Sequence, residues 1–245
     1  MVKLIKIYKN FNIIKQHKRS IILIGNFDGL HLGHQKLFKL AKNFKKKYFL
    51  NVGVLTFEPM PKMFFNNNLS NFRISNQKQK IHLLKKHGVD FVIIKKFNKK
   101  FSKVKSTNFI KNILDSKLQA KFIFVSNNFR FGNRREGDVK QLIKYEKIFN
   151  YKIVKPKPLS KNKKIISSSL IRNLLMKGKI KKANEFLNRE WSIEGMVKKG
   201  RQLGKKIGFP TANIDIKDYI IAKTGVYAVR VRINDKKKVF RGIAN

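Results

Sequence analysis

The sequence predicts an α/β fold, a parallel sheet covered by helices, followed by a smaller all-β unit. Two observations predict it. Up to about residue 187, short β-branched or apolar runs alternate with longer segments of helical period. After Asn188 the pattern changes to the polar/apolar alternation of antiparallel strands, interrupted by a glycine-rich stretch. The predicted division is therefore 1–187 and 188–245.

In chain order, the strand at Ile21–Gly25 is followed by a helix at Gln35–Lys46, a strand at Asn51–Phe57 and a helix at Asn76–His87. The rhythm continues with Phe91–Lys95, helical Asn108–Lys117, Lys121–Val125, helical Val139–Phe149 and Tyr151–Val154. Strand, helix, strand in this order implies a sheet with helices on both faces. Ser168–Lys177 and Ile180–Leu187 read as two short helices separated at Gly178. Trp191–Val197 and Val226–Ile233 alternate like antiparallel strands, with Gly200–Asn213 between them.

The 245 residues are enough to bury a sizeable core, and a hydrophobic share of 42% with 21 phenylalanines argues against disorder. No apolar run is long enough to span a bilayer or serve as a signal core. Cysteine is absent, which excludes disulfides and thiolate metal sites. A cytoplasmic protein without membrane partners is expected. Lys and Arg number 58 against 13 Asp and Glu, a net charge of +45. The lysines are spread along the whole chain among Asn, Ile and Phe, the pattern of AT-rich codon usage, so no specific nucleic-acid partner is expected. Such a surface still favours anionic, phosphate-bearing ligands.

The strongest chemical signal is Gly25-Asn26-Phe27-Asp28-Gly29-Leu30-His31-Leu32-Gly33-His34. An apolar strand ends in Gly25, and the chain turns through Asp28-Gly29 and Gly33 into a helix that opens near His34. Ligands of open α/β sheets bind outside the carboxyl ends of strands. The glycines let backbone approach a phosphate, the helix start offers free N–H groups, and His31 and His34 add donors against charge that builds on a leaving pyrophosphate. The isolated His17, His82 and His87 read as surface or satisfied core residues. A transition-metal pair at His31 and His34 lacks an obvious completing carboxylate or Cys.

His31-Leu32-Gly33-His34 resembles the HxGH signature of class I nucleotidyltransferases, and the whole Gly25–His34 string is similar to the version in prokaryotic bifunctional FAD synthetases. Three further segments carry the resemblance. Thr56-Phe57-Glu58-Pro59-Met60-Pro61 resembles the FEPHP loop, with Met60 where a His is usual. Val125-Ser126-Asn127-Asn128-Phe129-Arg130-Phe131-Gly132, with Arg135 and Gly137-Asp138, resembles VGxDFRFG…RxGD. Ser167-Ser168-Ser169-Leu170-Ile171-Arg172 resembles SSTxIR at a helix start. Taken as physical chemistry, Ser168 and Ser169 offer donors at a helix N-terminus, or serve as ordinary caps, and Arg172 offers a cation to phosphate. Phe129 and Phe131 line a flat-ring pocket or fill the core. Asn128 can read an adenine or ribose edge, and Arg130 or Arg135 can hold a phosphate.

The resemblance implies a Rossmann-like domain that transfers AMP from ATP to FMN, releasing pyrophosphate, with Mg²⁺ on the phosphates. It implies His31, His34 and Arg172 as catalytic groups. Gly25, Asn26, Phe27, Asp28, Gly33, Asn128, Ser168 and Ser169 would hold ATP, and Phe57, Pro59, Phe129, Arg130 and Phe131 the flavin. In the second unit, Gly200–Asn213 is not a Walker A loop, because three residues rather than four separate Gly200 and Gly204. It resembles the GxxxGxxxGFPTAN motif of riboflavin kinases, which implies a kinase-like barrel in which Gly204, Gly208, Thr211 and Asn213 cradle phosphate, Thr211 and Asn213 hold Mg²⁺, and riboflavin is a further substrate. The sequence stops at Asn245, where the family continues to a catalytic Glu. The expectation is a partial barrel, with adenylylation retained and kinase activity lost, or a fragment of a longer product.

Overall fold

The computed structural model describes residues 5–66, 68–161, 163–200, 208, 211–233 and 238–245. The chain begins with β1 (Lys6–Tyr8), β2 (Ile21–Ile24), α1 (Leu32–Tyr48), β3 (Val52–Glu58), α2 (Pro61–Phe65), α3 (Gln77–Lys86) and β4 (Phe91–Lys96). Then come α4 (Lys99–Ser102) and α5 (Ser106–Asn108), the latter continued by a wider helical segment, Phe109–Lys117. β5 (Phe122–Phe124) precedes the small hairpin β6 (Arg130–Phe131) and β7 (Gly137–Asp138), then α6 (Val139–Lys144) and β8 (Lys152–Val154). β9 (Ser160–Lys161), β10 (Lys164–Ile165), α7 (Ser168–Met176) and α8 (Ile180–Leu187) complete the first unit.

Six of these strands form one sheet in the order β1-β4-β3-β2-β5-β8, and every neighbouring pair is parallel. Both faces are covered, which is why β2 and the first four residues of β4 are apolar without interruption. Alternate residues serve opposite cores. Ile22, Ile24, Leu55, Phe91 and Ile123 pack with Phe109, Ile110 and Leu114 on one face. Ile21, Leu23, Val54, Val92 and Phe124 pack with Phe38 and Ala41 of α1 and Leu84 of α3 on the other. A third cluster joins Ile171, Leu174 and Leu175 of α7 to Ala183, Phe186 and Leu187 of α8, and adds Ile74 and Ile220.

The helix starts follow local chemistry. Asn76 caps α3 through the Gln79 N–H while the Gln79 side chain accepts from the Asn76 N–H, a reciprocal capping box. Ser167 caps α7 by accepting from the Leu170 N–H. His31 is extended and immediately precedes α1, so that helix opens at Leu32, ahead of the expected start near His34.

Three further departures from the predicted elements have physical causes. β1 is too short to show a period, and it is held at the sheet edge by pairing with β4. The helix expected over Val139–Phe149 ends at Lys144, and Glu146 just beyond it accepts from the Ile153 N–H of β8. Trp191 is not in a strand. Its backbone N–H donates to Asn184 Oδ1 and its indole Nε1–H to the Ile74 carbonyl, which fastens it to the first unit.

Beyond it, β11 (Val197–Lys198) pairs with β12 (Asn213–Ile214), and β13 (Tyr227–Arg232) with β14 (Val239–Ala244), both antiparallel. The second unit is thus all-β in its described residues. Between these pairs Tyr219 bridges to Arg73, and Tyr219 and Ile220 are buried.

Gly53, the second residue of β3, has no room for a side chain because the Phe91 ring occupies its Cβ position, with a ring atom 2.2 Å from where that carbon would sit. Gly53→Ala is therefore expected to destabilise the protein by about 1–3 kcal/mol through overpacking. Urea denaturation checks this, and Phe91→Leu in the same chain should recover part of the loss.

Candidate active site

In the spatial order of the sheet, β3 lies on one side of β2 and β5 on the other, so the loops after β2 and β5 diverge at a topological switch point. The loop after β2 is Gly25–His31. It contains Phe27 at φ 48°, Gly29 at 78° and Leu30 at 36°. Glycine is required at position 29 because a Cβ there would lie 2.8 Å from Ile74 and the backbone is left-handed. The loop delivers the chain to the N-terminus of α1, whose first N–H groups have no partner within the helix. Gly33 leaves space for the His31 ring and the Ile166 carbonyl, 3.1 and 3.3 Å from its absent Cβ.

His31 and His34 stack face to face, with ring centroids 3.8 Å apart and planes 21° apart. Phe27, buried with Phe38, meets the His34 ring edge-on at 5.2 Å and packs its ring over Gly25. The Nδ1 atoms of both histidines are buried and make no hydrogen bond among the described residues. Burial, then the Arg172 and Arg189 charges, lowers the His31 pKa to about 4. Burial and His31 hold His34 well below the ordinary value. Near pH 7 both imidazoles are therefore neutral, and each brings one N–H donor rather than a positive charge.

Asp28 and Arg172 have interior roles that the sequence reading did not foresee. The Asp28 carboxylate accepts from the Ile74 and Ser75 N–H groups and pairs with Arg172 Nη2 at 2.7 Å. Arg172 Nε donates to the Phe72 carbonyl, and the guanidinium lies 3.7 Å from the centre of the Phe72 ring. The expected phosphate cation is thus engaged by protein, because a buried guanidinium needs a counter-charge. Ser168 Oγ donates to the Asp28 carbonyl, tying α7 to the loop after β2, whereas Ser169 is exposed. The HxGH and SSTxIR-like segments accordingly meet in space.

After β5, Asn127, Asn128, Phe129, Arg130, Arg135 and Asp138 line an open cavity of about 390 Å³. Phe131 is buried in the core, while the half-buried Phe129 stacks on it at 5.5 Å and faces the cavity. Asn128 is exposed and accepts from Ser126 Oγ, and Arg130 pairs with Asp138 at 3.6 Å. A second cavity of about 440 Å³ is lined by Pro59, Glu58, Gln77, Ile94, Lys96 and Lys9 at the ends of β3 and β4. Phe57 points into the core beside Phe97 and Phe101. In the second unit, Gly208, Thr211 and Asn213 are exposed and Gly204 lies outside the described residues.

Three cations were not foreseen. Lys80 is buried, with Nζ 3.4 Å from both the Asn26 carbonyl and Thr56 Oγ1. Desolvation lowers its pKa against the opposing pull of Glu58 and Asp28. Arg73 forms a bidentate pair with Glu58, and Arg189 donates to the Gly29 carbonyl. In a chain with 58 basic residues no charge pattern singles these out.

Two tests follow from the geometry. Asp28→Asn strands the buried Arg172 and should cost about 3–5 kcal/mol, with Asp28→Asn/Arg172→Met recovering much of it in a double-mutant cycle. Because His31 has a lower pKa folded than unfolded, the unfolded state binds more protons below pH 6.5. Stability should therefore fall from pH 6.5 towards about 4. Urea midpoints across that range should depend less on pH in His31→Asn/His34→Asn.

Comparison with known proteins gives a consistent result. The FAD synthetase family model matches residues 13–170 and the riboflavin kinase family model matches residues 187–245. A bifunctional riboflavin kinase/FMN adenylyltransferase of Buchnera aphidicola from Schizaphis graminum is 42% identical over 236 residues, 96% of this chain and 75% of the relative. The Escherichia coli K12 protein of the same name is 34% identical over 244 residues, the whole of this chain and 77% of the relative. A solved structure described as a macrolide-efflux protein from Streptococcus pneumoniae superposes with a TM-score of 0.81 at 28% identity, covering 97% of this chain and 77% of that one. That description stands apart from the flavin-enzyme names, and among the described residues no helix is long and apolar enough to cross a membrane. With both family models matched in order and relatives at this identity over three quarters of their length, the chain belongs to the bifunctional riboflavin kinase/FMN adenylyltransferase family.

Proposed function

We propose that the chain makes FAD by adenylylating FMN at the site between β2, β5 and α1. The observation that carries this reading is the stacked His31–His34 pair at the start of a 17-residue helix, with two buried and unpaired Nδ1 atoms at the switch point of a parallel sheet. A triphosphate answers that arrangement: it accepts from imidazole N–H groups and from the free N–H groups of the helix.

In the reaction, an FMN phosphate oxygen attacks the α-phosphorus of ATP in line. The new P–O bond forms as the bond to the β-phosphate bridging oxygen breaks, and pyrophosphate leaves. His31 and His34 donate to the triphosphate, and the negative charge of that ligand raises their pKa values, so their donor strength grows where charge accumulates. Gly25, Asn26 and Gly33 supply close backbone approach. Asp28, Arg172 and Ser168 hold the loop in register, and Ser169 offers an exposed hydroxyl. The cavity beside Asn128, Phe129 and Arg130 and the one beside Pro59 accept adenine and flavin groups. Catalysis rests on positioning and charge neutralisation, with no protein nucleophile.

Asp28 is committed to Arg172, so the donor set here fits a Mg²⁺ held by phosphate oxygens and water rather than by a carboxylate cage. Bound that way, it would neutralise charge on the departing pyrophosphate. In the second unit, the exposed side-chain oxygens of Thr211 and Asn213 would hold the same ion on a nucleotide phosphate. Residues 1–187 then form the adenylylation domain and 188–245 the kinase-like one.

Incubating the chain with ATP, Mg²⁺ and FMN should give FAD and pyrophosphate in equal amounts, and His34→Asn should lower kcat by about 10²-fold or more. Folded protein that forms no FAD sinks the reading. A parallel tube with riboflavin reports separately on the kinase. ATP binding at pH 6 should take up protons, visible as a calorimetric enthalpy that depends on the buffer's ionisation enthalpy.

A further inference from the structure

The chain leaves α8 through Asn188, whose left-handed conformation turns it back towards the loop after β2. Arg189 follows, half-buried. Its Nη1 donates to the Gly29 carbonyl at 2.8 Å and more weakly to the Leu187 carbonyl at 3.4 Å, while Nη2 donates to Ser75 Oγ at 3.3 Å. Gln35 of α1 reinforces this grip. Its side-chain amide donates to the Leu30 carbonyl at 2.9 Å and to the Leu187 carbonyl at 2.8 Å, and its oxygen accepts from Asn188 Nδ2 at 3.3 Å. Trp191, fastened to Asn184 and Ile74, prevents this stretch from lifting away.

The two carbonyls held in this way belong to Gly29 and Leu30, both at positive φ. A leucine there is strained and persists only when its surroundings over-determine it. Arg189 also brings charge. His31 is faced by Arg172 from α7, by Arg189 from the turn after α8 and by His34 of α1, while the Asp28 carboxylate pairs with Arg172 and attracts Arg189.

We infer that Arg189 is a positioning residue of the adenylylation site. It holds the strained turn from Asp28 to His31 so that the two imidazoles stack at the start of α1, and it adds positive potential to the face that receives the phosphates. The site is therefore completed by a residue beyond the last helix of the first unit. This inference rests on His31 and His34 receiving the triphosphate.

The test uses the full chain with R189Q, R189K and H31Q, measuring kcat and KM for ATP and FMN and titrating the imidazoles by NMR. In R189Q, kcat should fall at least tenfold while KM for FMN holds. His31 should titrate at higher pH than in the wild type, because removing a nearby cation eases its protonation. R189K should restore the titration and part of kcat. A merely structural role would lower the folded fraction and leave both kcat per folded molecule and the His31 titration unchanged, and that result overturns the inference. If R189Q does not fold, R189K carries the test, since it keeps the charge and loses the fork; wild-type kcat there also overturns it. Wild-type turnover in H31Q brings down the site reading and this inference together, whereas an inactive H31Q beside a wild-type R189Q brings down the inference alone.

Discussion

The Asp28 carboxylate is the constraint on which the rest of the site depends. It receives two backbone N–H groups from the 74–75 turn and the Arg172 guanidinium, while its own carbonyl takes the Ser168 hydroxyl. Three segments far apart in sequence, the loop after β2, the turn before α3 and the start of α7, are held by one side chain. Burying such a pair costs several kcal/mol of hydration per ion, which its mutual attraction offsets only with good geometry and further hydrogen bonds. Both conditions are met here. The Phe72 carbonyl and ring take up the remaining faces of the guanidinium. A pair so expensive to desolvate earns its place by fixing geometry more than by adding stability.

The overall charge takes on meaning once the acids are located. Eight of the chain's 13 acidic residues form ion pairs among the described residues: Asp28, Glu58, Asp90, Asp138, Glu146, Glu185, Glu190 and Asp215. Several also do backbone work, Asp90 accepting from the Val52 N–H, Asp138 capping α6 and Glu146 accepting from Ile153. The acids present are largely those with a structural partner, while the lysines lie mostly on exposed surface. The resulting positive field attracts phosphate ligands generally and selects none of them. In the proposed reading, selection falls to the neutral imidazoles and the helix start.

The sheet was legible because its central strands are apolar on both faces. Ile21–Ile24 and Phe91–Ile94 are buried throughout, as is β3 from Val52 to Phe57. The glycine and histidine string after β2 was equally legible, since positive φ at Gly29 and the close approach at Gly33 require those residues. Arg172 is legible by its motif but its pairing with Asp28 is not: that distance depends on how α7 folds over a loop 144 residues away. Lys80 and Arg189 were invisible, because a buried cation and a solvated one look alike in a lysine-rich chain. Trp191 was placed in a strand by local alternation, whereas its indole hydrogen bond to Ile74 is a long-range fact.

The pairing of Arg73 with Tyr219 closes a loop of 219 − 73 = 146 residues, and Ile220 completes the cluster around Ile74. Contacts of such high sequence separation form late, because the entropy of closing the loop is met before the contact rewards it. The cluster around Ile74, which lies against the loop after β2 near the start of the chain, cannot reach its final packing on the ribosome until residue 220 has emerged. For the interval in which the earlier segments wait, the cluster formed by Ile74, α7 and α8 lacks Ile220 and the 72–75 turn lacks its bridge to Tyr219, and that interval is when this protein is most exposed to misassembly.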